Sequence, residues 1–185
     1  MKVKTLFLIC FLSITCLLNA ADKPVIQIHT DNSSLIFRIA DNGRLYQSYL
    51  GKKLSHETDI SHLPHGTEAY ITHGMEDYFE PAIHILHNDG NPSLLLKYVS
   101  HETKAVSQGV NETIITLGDD KYPVTVKLHY VTYPAEDIIK TYTEISHKEK
   151  KPVVLHQYAS SMLHLNRAKY YLTEFAGDWA HEANI

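Results

Sequence analysis

Leu35-Ile36-Phe37-Arg38-Ile39, then Asp41-Asn42-Gly43, then Leu45-Tyr46-Gln47-Ser48-Tyr49-Leu50: the run from residue 35 to residue 50 decides the fold. Two short segments rich in β-branched and aromatic residues flank an Asn-Gly pair. Asn-Gly accepts the positive φ angles of tight turns whose twist matches paired strands, so the run reads as an antiparallel hairpin. The same grammar recurs on both sides. Upstream, Val25-Ile26-Gln27-Ile28-His29-Thr30 alternates and Asp31-Asn32-Ser33 turns the chain. Downstream, Ile83-His84-Ile85-Leu86 leads into Asn88-Asp89-Gly90-Asn91-Pro92, and Leu94 to Val99 follows with high β-propensity. Thr113-Ile114-Ile115-Thr116-Leu117, the Gly118-Asp119-Asp120 turn and Val124 to Tyr130 make another hairpin; Ile138 to Ile145 and Val153 to Tyr158 complete the series. Residues Ser55 to Thr72 carry little periodicity and read as a long loop. No amphipathic helix pattern, internal repeat or linker breaks the sequence of strands, which predicts an all-β domain built as an antiparallel β-sandwich.

The first twenty residues read as an address. Lys2 and Lys4 precede an apolar run from Leu6 to Leu18, and Asn19-Ala20-Ala21 offers small residues for cleavage. The run is short for a membrane span, which needs about 20 apolar residues; an uncleaved anchor is the competing reading, and Ser13-Ile14-Thr15 before Cys16 fits a lipoprotein site poorly. The expectation is a signal peptide over 1–20, a domain over 21–185, and a periplasmic or extracellular destination. Both cysteines, Cys10 and Cys16, fall inside the signal segment. The remainder then has no disulfide framework, thiolate nucleophile or cysteine metal site. Losing Lys2 and Lys4 takes the basic residues from 17 to 15 against 21 acidic ones, and the net charge from −4 to −6. An acidic chain without a basic stripe argues against nucleic acid and anionic membrane surfaces as partners.

Two further stretches carry a resemblance. Gly74-Met75-Glu76-Asp77-Tyr78-Phe79-Glu80-Pro81-Ala82 runs on through Asn88-Asp89-Gly90, and Ala176-Gly177-Asp178-Trp179-Ala180-His181-Glu182 lies near the end. Together they resemble the N-terminal domain of family 36 glycoside hydrolases, the α-galactosidase family. Weaker elements occur in matching order: Asn42-Gly43-x-Leu45 with Tyr49-Leu50-Gly51-Lys52, Asn111-Glu112-Thr113-Ile114 into Leu117-Gly118-Asp119, Leu128-His129-Tyr130, and Ser160-Ser161-Met162-Leu163-His164-Leu165. The resemblance implies a supersandwich, expected here to be incomplete at its C-terminal end because the family's catalytic barrel follows this domain. It further implies a non-catalytic part of an exported retaining α-galactosidase that supports the barrel and lines one edge of the galactose site. Its partners would be an α-galactoside, bound through the full-length enzyme, the barrel missing from this chain, and a second copy of itself. The alternative is a freestanding carbohydrate-binding β-sandwich module, with Tyr46, Tyr49, Tyr78 and Tyr158 as a stacking platform.

Retaining glycosidases need two carboxyl groups about 5 Å apart. The resemblance places both in the barrel, and the adjacent pairs Glu76-Asp77 and Asp119-Asp120 do not replace them, since strand neighbours point to opposite faces. No catalytic residue is assigned, and this chain alone is expected to be inactive. Trp179 is the one residue the resemblance marks as substrate-binding: an indole can lie against the apolar face of galactose while its N–H donates to a hydroxyl. His181 and Ala183 stand where the family commonly has arginines, and Phe79 departs similarly, so fine specificity does not carry over. His56, His62, His65 and His73 invite a metal reading, but loop histidines with no cysteine and no helical register lack the three or four fixed ligands zinc wants. Neither a metal nor any other cofactor is expected. Ser160-Ser161 with His164 lacks the Gly-x-Ser-x-Gly elbow of a serine hydrolase.

Overall fold

A computed structural model describes residues 23–75, 80–165, 176–178 and 181–184. β1 (Val25–His29), β2 (Ser33–Ile39), β3 (Leu45–Lys52) and the two-residue β4 (Thr67–Glu68) form one sheet in that order. Between β3 and β4 lies a one-turn helix, α1 (Glu57–Ser61). A second sheet runs β6 (Lys97–Ser107), β7 (Val110–Gly118), β8 (Val124–Tyr133) and β9 (Ile138–His147). β5 (Ile83–Leu86) pairs with β10 (Val154–Tyr158), and β11 (Ala176–Asp178) with β12 (His181–Asn184). Every one of these ladders is antiparallel.

The two four-stranded sheets bury one face each in a shared core. Val124, Val126, Leu128 and Tyr130, at every second position of β8, join Leu35, Phe37, Ile115 and Leu117 in one buried cluster. Phe37 and Tyr130 meet across it, ring centroids 5.1 Å apart and tilted by 47°. Each such side chain contributes about 1.5–3 kcal/mol on leaving water. The same burial pushes the Tyr130 phenol above its ordinary pKa. The all-β sandwich expected from the period-2 pattern is the fold found.

Turn chemistry is as the sequence dictates. Gly43 has φ 81° and donates its N–H to Ala40 O at 2.9 Å, while Asn42 Oδ1 accepts from the Arg44 N–H. Gly66 has φ 82°, and a Cβ there would fall on the Gln47 carbonyl; only glycine fits. Two sequence expectations need correction. The stretch Ser55 to Thr72 is not structureless, since it contains α1 and β4. The strand expected over Leu94 to Val99 begins at Lys97 and continues to Ser107. Leu94 and Leu96 are buried before the ladder starts, whereas β6 is an edge strand that is exposed over most of its length. A strand wet on both faces carries no apolar alternation, so its sequence gives no period to read.

Candidate functional site

The Pro81-Ala82 element is clamped between two backbones. The Ala82 N–H donates to Ile71 O at 2.8 Å, and the Ala159 N–H donates to Ala82 O at 2.7 Å. Gln157 Nε2 donates to Pro81 O and to Glu80 Oε1, both at 2.9 Å, and the Tyr70 hydroxyl donates to Ala159 O at 2.8 Å. Ala82 and Ile83 are fully buried there. Of the motif read from the sequence, Glu76, Asp77, Tyr78 and Phe79 lie outside the described residues.

Beyond Tyr158 the chain leaves the ladder but stays tied to the sandwich. Gln47 Nε2 donates to His164 O at 2.7 Å, the His164 N–H donates to Gln47 Oε1 at 3.1 Å, and His164 Nε2 lies 2.8 Å from Glu68 O. The Ser160 carbonyl accepts from Thr143 Oγ1. His164 is thus a tether and Ser160 a backbone acceptor; the segment after β10 is irregular rather than strand. Along it, Val154, Leu155, Tyr158, Leu163 and Leu165 are exposed, Tyr158 to 64% and Leu165 to 57%. Five large apolar side chains within twelve residues are thus left exposed among the described residues. Their signal was in the sequence, in Val153-Val154-Leu155 and Leu163-x-Leu165, but apolar residues at a strand end read equally as core.

Between β5 and β10 two imidazoles stack and a third tilts against them. His73 and His84 lie 3.7 Å apart at 17°, and His156 lies 4.8 Å from His84. Burial first, then the neighbouring His73 and His156, hold His84 below the ordinary imidazole pKa. His84 and His87, three apart along the chain, go to different surroundings, as strand geometry expects. His87 is buried beyond the end of β5, where its ring stacks on Tyr122 at 3.6 Å and its Nδ1 lies 2.7 Å from Glu149 Oε1. Among the described residues no group of three or more His, Cys, Asp or Glu is arranged to hold a metal ion.

Several carboxylates of the described residues are committed to structure. Asp119 accepts from the backbone N–H groups of Lys121, Tyr122 and Leu95, and Asp120 pairs with Lys97. Asp89 accepts from the Tyr122 hydroxyl at 2.9 Å, while Glu149 accepts from Asn88 N–H at 3.0 Å; between them they pin the Asn88-Asp89-Gly90 turn. Sequence reading missed one assembly on the outer face of the second sheet. Glu112, buried, accepts from the Tyr142 hydroxyl at 2.6 Å, with His129 Nδ1 at 2.9 Å and Lys104 Nζ at 3.0 Å. His129 stacks on Tyr142 at 4.3 Å. These donors, Tyr142 foremost, then His129 and Lys104, hold the Glu112 carboxyl down to about 2. A carboxylate so held has no proton to give near neutrality, so it serves the sheet and not acid catalysis.

Trp179, the expected sugar contact, lies outside the described residues; it falls in the chain between β11 and β12. His181 and Ala183 belong to β12. The comparison with known proteins joins these pieces. Residues 42–185 match the model of the glycosyl hydrolase family 36 N-terminal domain. The chain belongs to that family. Among solved structures it is similar to the α-galactosidase from Lactobacillus brevis, with a TM-score of 0.73 and 21% identity over 87% of this chain and 26% of that one. It is similar also to the galactosidase domain of the α-galactosidase–sucrose kinase AgaSK, with a TM-score of 0.66 and 19% identity over 74% of this chain and 24% of that one. The family 36 α-galactosidase AgaA from Geobacillus stearothermophilus gives 0.65 and 18%, with the same shares. No curated protein sequence matches the chain. The chain therefore spans about a quarter of the length of these solved enzymes.

Proposed function

We propose that this domain is the non-catalytic N-terminal part of an exported, retaining α-galactosidase, where it supports the catalytic barrel and lines one edge of the galactose site through Trp179. The family match carries this reading, and the exposed apolar side chains of segment 154–165 support a docking surface there. That face leaves Leu155, Tyr158 and Leu165 in water unless another body covers it. The remaining three quarters of a family enzyme supply that body. Hydrolysis then belongs to the barrel's paired carboxylates, across a gap of about 5 Å, and the sandwich contributes position and one aromatic wall. Export by the 1–20 segment places the enzyme where oligosaccharides arrive from outside the cell.

The test is hydrolysis of an aryl α-galactoside by this chain and by the same chain continued into a family 36 barrel. The expected result is no turnover by the short form, and turnover with retained anomeric configuration by the long one. Turnover by the short form overturns the assignment.

A further inference from the structure

The outer face of the first sheet carries a cavity that none of the preceding readings uses. Val25, Arg38 and Tyr46 stand in register across β1, β2 and β3, one residue out of step with the buried Ile26 and Phe37 and therefore on the opposite face. Over this row Arg38, with Lys23, Ser61 and His65 and the apolar Pro24, Val25 and Ile39, lines a cavity of 480 Å³. A neighbouring hollow of 410 Å³, lined by Tyr46, Asn42 and Asp41 among others, shares His65 with it.

Among the described residues, the first cavity's lining holds a guanidinium, an ammonium group and an imidazole, and no carboxylate. That is unexpected in a chain with 21 acidic residues against 17 basic ones. The two arginines of the first sheet make the point sharper. Arg44 grips the Glu68 carboxylate with both Nε and Nη2. Arg38 Nη2 donates to the Ile60 carbonyl, and its Nε–H is buried with no hydrogen-bond partner. An unanswered buried donor is costly, and the group that answers a guanidinium edge best is a planar oxyanion. Lys23 stands at the rim, its Nζ donating to Ala40 O at 2.6 Å and to the fully exposed Asp41 at 3.1 Å. Tyr46, next along the trough, offers the ring face on which a sugar can lie.

From this geometry we propose that the trough over β1–β3 is an anion-binding site that takes the carboxylate or sulfate of an acidic sugar. The anion sits against Arg38 and Lys23, with His65 as a further hydrogen-bond donor. The attached ring extends towards Tyr46.

Titration of the isotopically labelled full chain at constant ionic strength tests the site. The probes are galacturonate, galactose and inorganic sulfate, followed through the Arg38 Nε–H resonance and the backbone amides of Val25, Tyr46 and His65. Galacturonate and sulfate should shift these signals at millimolar concentrations, and galactose should not. Arg38→Gln should weaken galacturonate by about tenfold or more, as loss of a charge-assisted contact does. Lys23→Gln, on the rim and away from the core, should weaken it severalfold with the remaining amide spectrum unchanged. Tighter binding of galacturonate than of sulfate identifies a glycan-borne acid, equal binding a bare oxyanion, and both uphold the anion site. Absence of shifts with either anion, equal shifts with galactose, or unchanged affinity in Lys23→Gln overturns it.

Discussion

Phe37 and Tyr158 are both large aromatics on strands, and they have opposite fates. Phe37 is wholly buried against Tyr130 between the two sheets, while Tyr158, at the end of β10, is 64% exposed among other apolar side chains. The first region is complete: both walls come from this chain, and the sheets close on each other. In the second, the described residues leave the apolar side chains exposed. The solved structures it resembles are about three times as long as this chain, and the proposed function seats their additional part on the exposed 154–165 segment.

The comparison breaks most easily at Phe37. Phe37→Ala should cost about 3–5 kcal/mol of unfolding free energy, the usual range for removing a buried aromatic and leaving a cavity. Urea denaturation of the chain reads it directly. A cost near 1 kcal/mol or less would mean that the sandwich interior is no better packed than the 154–165 face, and the contrast fails.

A second effect concerns the outer face of the second sheet. The Glu112 carboxyl is held down to about 2, below its unfolded value, chiefly by the Tyr142 hydroxyl and then by His129 and Lys104. A depressed carboxyl stabilises the fold above its unfolded pKa, and that share is lost as pH falls through the folded value. The urea midpoint should therefore fall between about pH 4.5 and pH 2, the window set by the unfolded and folded values. Glu112→Gln should be less stable at pH 7 and show a flatter decline over that window. Equal slopes for the two proteins would remove Glu112 from the account.

How much of this could be read from the residues follows from the same contrast. β1, β5 and β9 were legible because a sheet with one dry face prints period 2 on the sequence, while β2 and β10 were read from β-branched and aromatic runs between turn residues. β6 was legible only at its start, since Ser100 to Ser107 is wet on both faces and has no period to print. α1 and β4 are too short to show a period at all. The Asp119 turn was read as turn chemistry from its residue types, and its three backbone donors bear that out. The Glu112–His129–Tyr142 assembly joins three strands, and only the register places those residues side by side. Its single-residue signs, a Glu, a His and a Tyr in strands, are common ones. The family was legible from motif order; the uncovered 154–165 face was not, because exposure is decided by what is absent from the other side.

Trp179 tests the functional half of the comparison. If the sandwich lines the galactose site, Trp179→Ala in a barrel-bearing form should weaken galactoside binding severalfold to about tenfold, the worth of one aromatic–sugar contact of about 1 kcal/mol or slightly more. The readout is KM and an inhibition constant for a galactose analogue, with kcat followed alongside. Full activity of that variant would leave the domain a scaffold with no wall in the pocket.

The smallest expected effect is also the most discriminating. Leu155→Ser and Tyr158→Ser replace side chains that are 41% and 64% exposed, so in this chain each should change stability by no more than about 0.5 kcal/mol. Loss of little in the short form is what an uncovered face predicts, since the removed atoms were already in water. In a barrel-bearing form the same substitutions should lower the thermal midpoint clearly, because there the apolar atoms would be taken out of water by the second body at about 25 cal/mol per Å². Two thermal scans per variant, short and long, decide the matter. Equal and small shifts in both forms would show that the 154–165 face stays wet in the enzyme, and the docking surface would have to be sought elsewhere on the sandwich. Large shifts in the short form would instead place these side chains in the domain's own core, against the exposure seen here.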